Sequence, residues 1–311
     1  MLRDQSPIGA PLRSNAEAMA NKRCLAALPR KGLPEPSWSD QLTPGRPPLI
    51  SSEALPCTSG IRGSVASNGT VGRPTIRLMT QPSWFPDEAQ RAGEEHLDAA
   101  YVEHYDAKAR FDPESDLTVL RELGFGPKST LVDIGAGTGT LSLAAAATCH
   151  RVIAIDVSAA MLQAAHQKAE ALGLTNIEFV RAGFLTYAHQ GDLVDFVYTR
   201  NALHHLPDFW KSVALKRLAM ILKPGGVLRL SDIVFSCDLA DVEAVIEAWL
   251  AAAPDRPEEG WTKAELEAHV REEYSTFSWL LEPMLGRTGF EIISATHSES
   301  KVFAAYTCRG T

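Results

Sequence analysis

Residues 131–141 read Leu-Val-Asp-Ile-Gly-Ala-Gly-Thr-Gly-Thr-Leu, a short apolar run that leads to an acid and then to three alternate glycines. Glycine lacks a Cβ and readily takes positive φ, so Gly135, Gly137 and Gly139 allow the main chain to approach a ligand closely. A helix that begins directly after this loop would point its free amide groups at the same ligand. The stretch therefore predicts a strand, a ligand-binding turn and a helix.

A second apolar run, residues 152–155, ends in Asp156. An acid at the tip of a second strand can accept hydrogen bonds from two ribose hydroxyl groups. A nicotinamide-type Gly-x-Gly-x-x-Gly loop would need its third glycine at position 140, where this chain has Thr140. A bare turn requires neither three glycines nor a matching acid, so the pair of motifs predicts a nucleoside-containing ligand.

These residues resemble the first two motifs of the class I S-adenosylmethionine-dependent methyltransferases, whose loop reads acid-x-Gly-x-Gly-x-Gly. The resemblance implies S-adenosylmethionine as the cofactor, with the loop, including Ala136, against it. It also implies that Asp133 orients the methionine amino group and that Asp156 binds the ribose. Val157 and Met161 follow Asp156 closely enough to pack on the adenine, although a methionine here could equally be ordinary core.

The third predicted strand departs from the family pattern at its end. Many relatives carry Gly-Asp there, with the aspartate accepting from the adenine amino group, whereas this chain has Gly183 in place of the acid. We therefore expect the adenine to be held by backbone groups around Ala182 to Phe184, by stacking, or by a residue that the sequence does not identify.

Residues 198–208 contain a Leu-His-His-Leu stretch at the end of the fourth predicted strand, where open α/β sheets place their ligands. The stretch resembles that of small-molecule methyltransferases, including those of quinone biosynthesis. The resemblance implies that Arg200 and Asn201 lie beside the methionine end of the cofactor. His204, His205 or Glu273 could be the base for an acceptor proton, and the alternative is that one of the histidines caps or packs. No third ligand lies at suitable spacing, so no metal site is predicted.

Residues from about 236 to 288 correspond to the part that varies most among the similar enzymes and usually covers the acceptor. The stretch predicts a helix near 239–252 and a second helix opened by a Thr-x-x-Glu capping box at Thr262. Aromatic, hydroxyl and acidic side chains follow, so the candidates for the acceptor pocket are Glu273, Tyr274 and Trp279. Packing of this lid on the sheet edge is the competing interpretation.

A long helix is predicted at residues 87–110. In similar enzymes the N-terminal helix closes over the sulfonium, which makes Tyr101, His104 and Tyr105 candidates for that role. A shorter helix is predicted from Ser115 to Leu123.

Short apolar strands alternate with helices along the middle of the chain, which predicts a parallel sheet covered on both faces. The five predicted strands are 131–134, 152–155, 177–180, 194–199 and 227–234. Residues 290–296 and 301–307 then predict an antiparallel hairpin. The predicted fold is an α/β, Rossmann-like, doubly wound seven-stranded sheet, mostly parallel, with an antiparallel C-terminal hairpin and a helical lid insert.

Residues 1–78 differ in composition from residues 79–311, which we predict to be the methyltransferase domain. The first part holds ten of the 19 prolines and has a net charge of +5. Residues 79–311 have a net charge of −13, so the whole chain has a net charge of −8. We expect residues 1–78 to be disordered, as a flexible tail, an organelle-targeting leader or an extension from a mis-chosen start. Neither a membrane span nor a secretory signal is predicted, which favours a cytoplasmic protein unless the leader is genuine.

The acidic charge of the domain argues against nucleic acid as a partner, because it repels a phosphate backbone. Five cysteines without a C-x-x-C pair favour reduced thiols. The sequence thus predicts in-line methyl transfer to a small-molecule acceptor. The alternatives are a regulatory module that binds S-adenosylmethionine without transfer and an enzyme that transfers another group from it. The acceptor and the oligomeric state remain open.

Overall fold

The computed structural model describes residues 82–311, so the extension predicted at residues 1–78 lies outside the described residues. The N-terminal region contains a 3₁₀ turn, Ala89–Arg91, and two helices, α1 (Glu94–Leu97) and α2 (Ala99–Ala109). The single helix predicted here is wrong, because Asp98 takes extended backbone angles between the two helices. Its carboxylate accepts from the amides of Ala100 and Tyr101 and thereby starts α2 as a new helix.

The first half of the sheet alternates strand and helix as predicted. The elements are α3 (Glu114–Glu122), β1 (Thr130–Ile134), α4 (Thr140–Ala146), β2 (Arg151–Asp156), α5 (Ala159–Ala171) and β3 (Ile177–Arg181). Ser158 caps α5 by accepting from the amide of Met161 at 3.2 Å, and Gly173 follows that helix with φ of 67°. The local start and stop signals in the sequence therefore set these boundaries.

The second half contains the lid and the closing hairpin. Its elements are β4 (Val194–Arg200), α6 (Asp208–Ile221), β5 (Leu222–Phe235), α7 (Val242–Ala251), α8 (Lys263–Glu272), β6 (Thr276–Phe277), α9 (Ser278–Thr288), β7 (Phe290–His297) and β8 (Phe303–Gly310). β5 begins five residues earlier than predicted and includes the Pro-Gly-Gly sequence at residues 224–226. The pairing of β5 with β4 shifts there from Val194 opposite Leu222 to Phe196 opposite Val227.

The sheet has the strand order β3-β2-β1-β4-β5-β8-β7, and the two-residue strand β6 pairs with β5. Neighbours from β3 to β5 are parallel, whereas β8 is antiparallel to both β5 and β7. The predicted mostly parallel, seven-stranded sheet with its antiparallel hairpin is confirmed. Right-handed crossovers put helices on both faces of such a sheet.

The central strands form the core. Val132 of β1, Ile153 of β2, Val197 of β4 and Leu228 of β5 are each at most 2% exposed. Cys149, Cys237 and Cys308 are buried free thiols. Among residues 82–311, no helix combines the length and the apolar character needed to cross a membrane.

Candidate cofactor and acceptor site

Two neighbouring cavities, which share part of their lining, lie at the carboxyl ends of β1 and β4, where the strand order reverses and the following loops diverge. The large cavity has a volume of about 1350 Å³, and the small cavity of about 90 Å³. Tyr105, Gly137, Arg200, Asn201 and His205 line both of them. A ligand held by the glycine loop would therefore extend from one cavity into the other.

The three loop glycines all have positive φ, but a Cβ would meet different surroundings at each of them. A Cβ on Gly135 would lie 2.3 Å from the Cβ of Ala202, and one on Gly139 would lie 2.9 Å from the Cβ of Ala165. Gly139 does not line either cavity, and the absence of a Cβ there lets the loop pack closely against Ala165 of α5. Only Gly137 faces open space, with its nearest atom, on Tyr105, 4.0 Å away. Gly137 is therefore the loop residue whose bare backbone is left open to a ligand.

Asp156 holds the loop in place. One carboxylate oxygen accepts from the amide of Gly137 at 2.8 Å, and the other accepts from Ser158 at 2.8 Å. A carboxylate has about four acceptor positions, so room remains for two hydroxyl donors. Burial raises the pKa of Asp156, and these amide bonds oppose that rise. The side chain lines the small cavity and fits a ribose diol.

Asp133 lies deeper, at the end of β1, and is 2% exposed. It accepts from the hydroxyl of Ser142 at 2.6 Å, and its side chain reaches the large cavity. Burial is the main cause that raises the pKa of Asp133 to about 7, and the negative charge of Asp156 adds to the rise. The hydrogen bond from Ser142 lowers the pKa and opposes both effects. A bound ammonium group would favour the ionised carboxylate, so the position suits the methionine amino group.

The small cavity continues past Asp156 toward the end of β3. Val157, Met161, Gly183 and Phe184 line it, as the sequence predicts for the adenine. Sequence reasoning did not find Glu88, which also lines this cavity and is only 7% exposed. Its carboxylate accepts from the turn after β3 and stands directly over Gly183.

Three predicted cofactor residues line both cavities. The guanidinium of Arg200 packs over the ring of Phe111 at 4.5 Å. Asn201 has φ of 46°, a left-handed conformation that asparagine tolerates better than most residues. Burial raises the pKa of Tyr105 to about 12, so its hydroxyl stays neutral beside the loop. Ala136 lines the large cavity.

The two adjacent histidines each pair with a carboxylate. Nδ1 of His204 lies 2.5 Å from Asp232 near the end of β5, and Nδ1 of His205 lies 2.8 Å from Glu273. Asp232 was not among the sequence candidates, because it lies inside β5, three residues before the end of that strand. Both histidines line the large cavity, so both rings lie beside the space that an acceptor would occupy.

The carboxylates set the protonation of this cluster. Burial alone would lower the pKa of His205, but the bond and charge of Glu273 outweigh it, and the net pKa is raised. Asp232 has a lowered pKa, since the neighbouring His204 outweighs burial. Burial lowers the pKa of His96 and of His269 to about 4, so both are neutral near pH 7. The cavity wall therefore combines the neutral imidazoles of His96 and His269 with two histidine–carboxylate pairs.

His204, His205 and Glu273 could also hold a metal ion, because each offers one ligand atom and these atoms lie within 4.8 Å of one another. The sequence reasoning that no third ligand is available was wrong, since the fold brings Glu273 to the two histidines. Each of the three side chains already has a hydrogen-bonding partner in the pairs described above. The prediction that no metal binds here stays a prediction.

The lid places its predicted residues unevenly. Tyr274 lines the large cavity and its hydroxyl accepts from Arg91 at 2.9 Å. Trp279 is 51% exposed, stacks on Phe277 and lines neither of the two cavities. His104 likewise does not line the cavity, and its ring bonds the carbonyl of Ala100, whereas Tyr101 does line it.

A buried lysine fixes the segment that carries Glu273 and Tyr274. Lys211 on α6 is 2% exposed, and its ammonium donates to Asp208 at 2.8 Å and to the carbonyl of Tyr274. On the opposite side, Lys108 of α2 forms an ion pair with Glu265 of α8. These contacts hold the lid helices over the large cavity.

The reversal of strand order, the glycine loop and the acid on the neighbouring strand define an α/β protein with a crevice for a nucleoside-containing ligand. Residues 131–226 match the family described as a methyltransferase domain. This match and the fold support a class I S-adenosylmethionine-dependent methyltransferase domain around residues 131–226, with S-adenosylmethionine as the cofactor of that class.

Curated relatives differ in the acceptors that they are named for. A ribosomal protein L11 methyltransferase of Symbiobacterium thermophilum is 31% identical over 137 residues, which covers 43% of this chain and 42% of that protein. A demethylmenaquinone methyltransferase of Bacillus mycoides is 28% identical over 110 residues, covering 34% and 46%. A tRNA 5-carboxymethoxyuridine methyltransferase of Escherichia coli is 35% identical over 114 residues, covering 36% and 42%. The chain spans less than half of the length of each.

Among solved structures, magnesium protoporphyrin IX methyltransferase from Synechocystis PCC 6803, determined with bound S-adenosylmethionine, has a TM-score of 0.51 to this chain. The two are 18% identical, and the match covers 74% of this chain and all of that one. At this identity the likeness establishes the fold.

Proposed function

We propose that this protein transfers the methyl group of S-adenosylmethionine to a small-molecule acceptor bound in the large cavity. The observation that carries the proposal is that the two cavities share the glycine loop and His205 as lining, while His204 also lines the large cavity. One end of this space suits a nucleoside and the other suits an acceptor with a proton to lose.

The cofactor placement is supported by the groups that each part of S-adenosylmethionine requires. Asp156 would bind the ribose hydroxyls, and Asp133 would bind the ammonium group. The open backbone at Gly137 would allow the cofactor to approach, and Tyr105 would cover it. When bound, S-adenosylmethionine supplies an activated methyl group, so the protein contributes mainly by orienting the acceptor and excluding water.

His204 is the better candidate for the base. Because its Nδ1 faces the carboxylate of Asp232, the neutral ring keeps its proton on Nδ1 and its lone pair on Nε2. The raised pKa of His205 leaves more of that ring protonated near neutral pH, and a protonated imidazole cannot accept the acceptor's proton. Glu273 and Tyr274 would then shape the acceptor pocket, with Glu273 orienting His205.

The lid helices and the net charge of the domain both favour a small acceptor. Helices α2, α7 and α8 all contribute residues to the wall of the large cavity, which suits a small molecule better than a folded macromolecule. Residues 79–311 carry a net charge of −13, which disfavours a nucleic-acid substrate.

An untargeted labelling experiment tests the proposal. The full chain would be incubated with cell extract and S-adenosylmethionine that carries a deuterated methyl group, and the small-molecule, tRNA and protein fractions would be analysed separately by mass spectrometry. We expect label in the small-molecule fraction only. Label confined to tRNA or protein would contradict the proposed acceptor class, and binding without any label would indicate a module without transfer.

Two variants separate cofactor binding from catalysis in the same assay. Asp156→Ala should weaken S-adenosylmethionine binding at least about tenfold, a loss of about 1.4 kcal/mol, by isothermal titration calorimetry. His204→Gln should keep native affinity but slow label transfer by at least about a hundredfold. Unchanged affinity for Asp156→Ala would refute the cofactor site, and unchanged transfer for His204→Gln would refute the base.

A further inference from the structure

The far end of the small cavity has one acid besides Asp156 among its lining residues, and that acid is Glu88. Glu88 belongs to the segment before α1, 95 residues away from Gly183 in the sequence. A Cβ added to Gly183 would lie 2.5 Å from Oε1 and 2.7 Å from Oε2 of Glu88. The Glu88 carboxylate therefore occupies the space that a side chain at position 183 would need.

The two oxygens of Glu88 are used unequally. Oε2 accepts from the amides of Leu185 and Thr186, each at 3.0 Å, and from the Thr186 hydroxyl at 2.9 Å. Oε1 accepts only from the Leu185 amide, at 3.0 Å, a donor that it shares with Oε2. An ionised carboxylate oxygen accepts two or more hydrogen bonds, so Oε1 keeps acceptor capacity at the cavity wall.

We propose that Glu88 accepts a hydrogen bond from the exocyclic amino group of the cofactor's adenine and thereby selects an adenine over a 6-oxopurine. The inference rests on the cofactor placement proposed above, in which Asp156 holds the ribose and the base extends toward β3. Adenine presents a donor at its 6-position, whereas hypoxanthine presents an acceptor there, which a carboxylate repels. The segment before α1 is then part of the cofactor site.

The first test compares S-adenosylhomocysteine with S-inosylhomocysteine, which differ at position 6 of the base and in the proton that the 6-oxopurine carries on N1. By calorimetry, we expect the native full chain to bind the adenosyl compound at least about tenfold more tightly. In Glu88→Gln the single carbonyl oxygen should take the Oε2 position, because three hydrogen bonds are donated there. The amide nitrogen then faces the cavity as a donor, and the preference should fall below about threefold or reverse.

Asp87→Asn is the matched control. It removes a carboxylate from the adjacent residue, whose side chain accepts from the amide of Ala89 and does not line the small cavity. We expect this variant to keep the native base preference, so a general loss of negative charge would be separated from the specific role of Glu88.

A second pair of variants tests the same role by a gain of base preference, which a misfolded protein would not show. Gly183→Asp alone should lose affinity for both compounds, because its Cβ would collide with Glu88. Gly183 does not have positive φ, so the backbone accepts an aspartate once the space is free. In Glu88→Ala/Gly183→Asp the new carboxylate should restore at least about tenfold preference for the adenosyl compound.

The outcomes separate this inference from the proposed function. If the native chain binds S-adenosylhomocysteine but discriminates no better than Glu88→Gln, the role of Glu88 is refuted and the cofactor site stands. The same holds if the double variant, folded by circular dichroism, shows no base preference. If the native chain binds neither compound, the proposed function fails and this inference fails with it.

Discussion

Asp133 and Asp156 end neighbouring strands, yet the fold gives their carboxylates different environments. Asp156 accepts two backbone amides at the mouth of the small cavity, whereas Asp133 is buried and accepts from one hydroxyl, that of Ser142. Burial therefore dominates at Asp133 and raises its pKa to about 7. At the scale of single residues, this makes cofactor affinity depend on pH.

We expect the affinity for S-adenosylmethionine to rise between about pH 6 and pH 7.5, because only ionised Asp133 attracts the cofactor's ammonium group. Above about pH 8 the affinity should fall again, since an α-amino group with a pKa of about 7.7 to 8.0 then loses its proton. Calorimetry across this range measures the profile. Ser142→Ala should move the rising limb to higher pH, because it removes a bond that lowers the pKa of Asp133.

5′-Methylthioadenosine is the control ligand, as it lacks the ammonium group and should show no such rise. Asp133→Asn should flatten the rise for S-adenosylmethionine. An equal pH dependence for both ligands would contradict the assignment of Asp133.

The lid depends on helix α8, which is joined to the rest of the molecule by few contacts. Its first turn is a capping box, in which the amide and the hydroxyl of Thr262 both donate to Glu265 at 2.8 Å. The same glutamate pairs with Lys108 on α2. At the scale of elements, one side chain therefore both starts α8 and links it to the opposite wall of the cavity.

Thr262→Ala should loosen α8 by about 1 kcal/mol, the usual cost of losing a cap, and leave the sheet intact. Hydrogen exchange followed by mass spectrometry should then be about fivefold faster in residues 263–272. Thr148→Ala, which removes a hydroxyl bonded to a carbonyl near the end of α4, is the matched control and should leave α8 unchanged. Equal exchange in α8 for native protein and Thr262→Ala would show that the cap does not hold the lid.

For the whole molecule, the site and the sheet are built within residues 82–311. The core clusters draw on strands from β1 to β8 and the helices that cover them. Residues 1–78 lie outside the described residues and hold ten of the 19 prolines. The two parts also differ in the sign of their net charge, +5 against −13.

We expect a chain that begins at Met79 to keep the melting temperature of the full chain within about 2 °C and to bind S-adenosylmethionine with the same affinity. Thermal unfolding and calorimetry of the two proteins side by side measure this. A large fall in either quantity would show that residues 1–78 contribute to the fold or to the site.

Much of the fold was predictable because its signals are local. The glycine loop, the strand acids, the Ser158 cap and the Thr262 capping box each act within a few residues, so their chemistry is readable in order along the chain. Local signals fail where a competing cap intervenes, and Asp98 therefore divides a helix that the spacing predicts as continuous.

The sequence by itself determined the strand, glycine loop and acid that make the cofactor end of the site. Only the tertiary structure decided the rest: that Asp232 pairs with His204, that Glu273 pairs with His205, and that Glu88 stands over Gly183. These partners come from separate elements, 28 to 97 residues apart for the hydrogen bonds involved. Their proximity depends on strand order and helix packing, which spacing along a single chain does not specify.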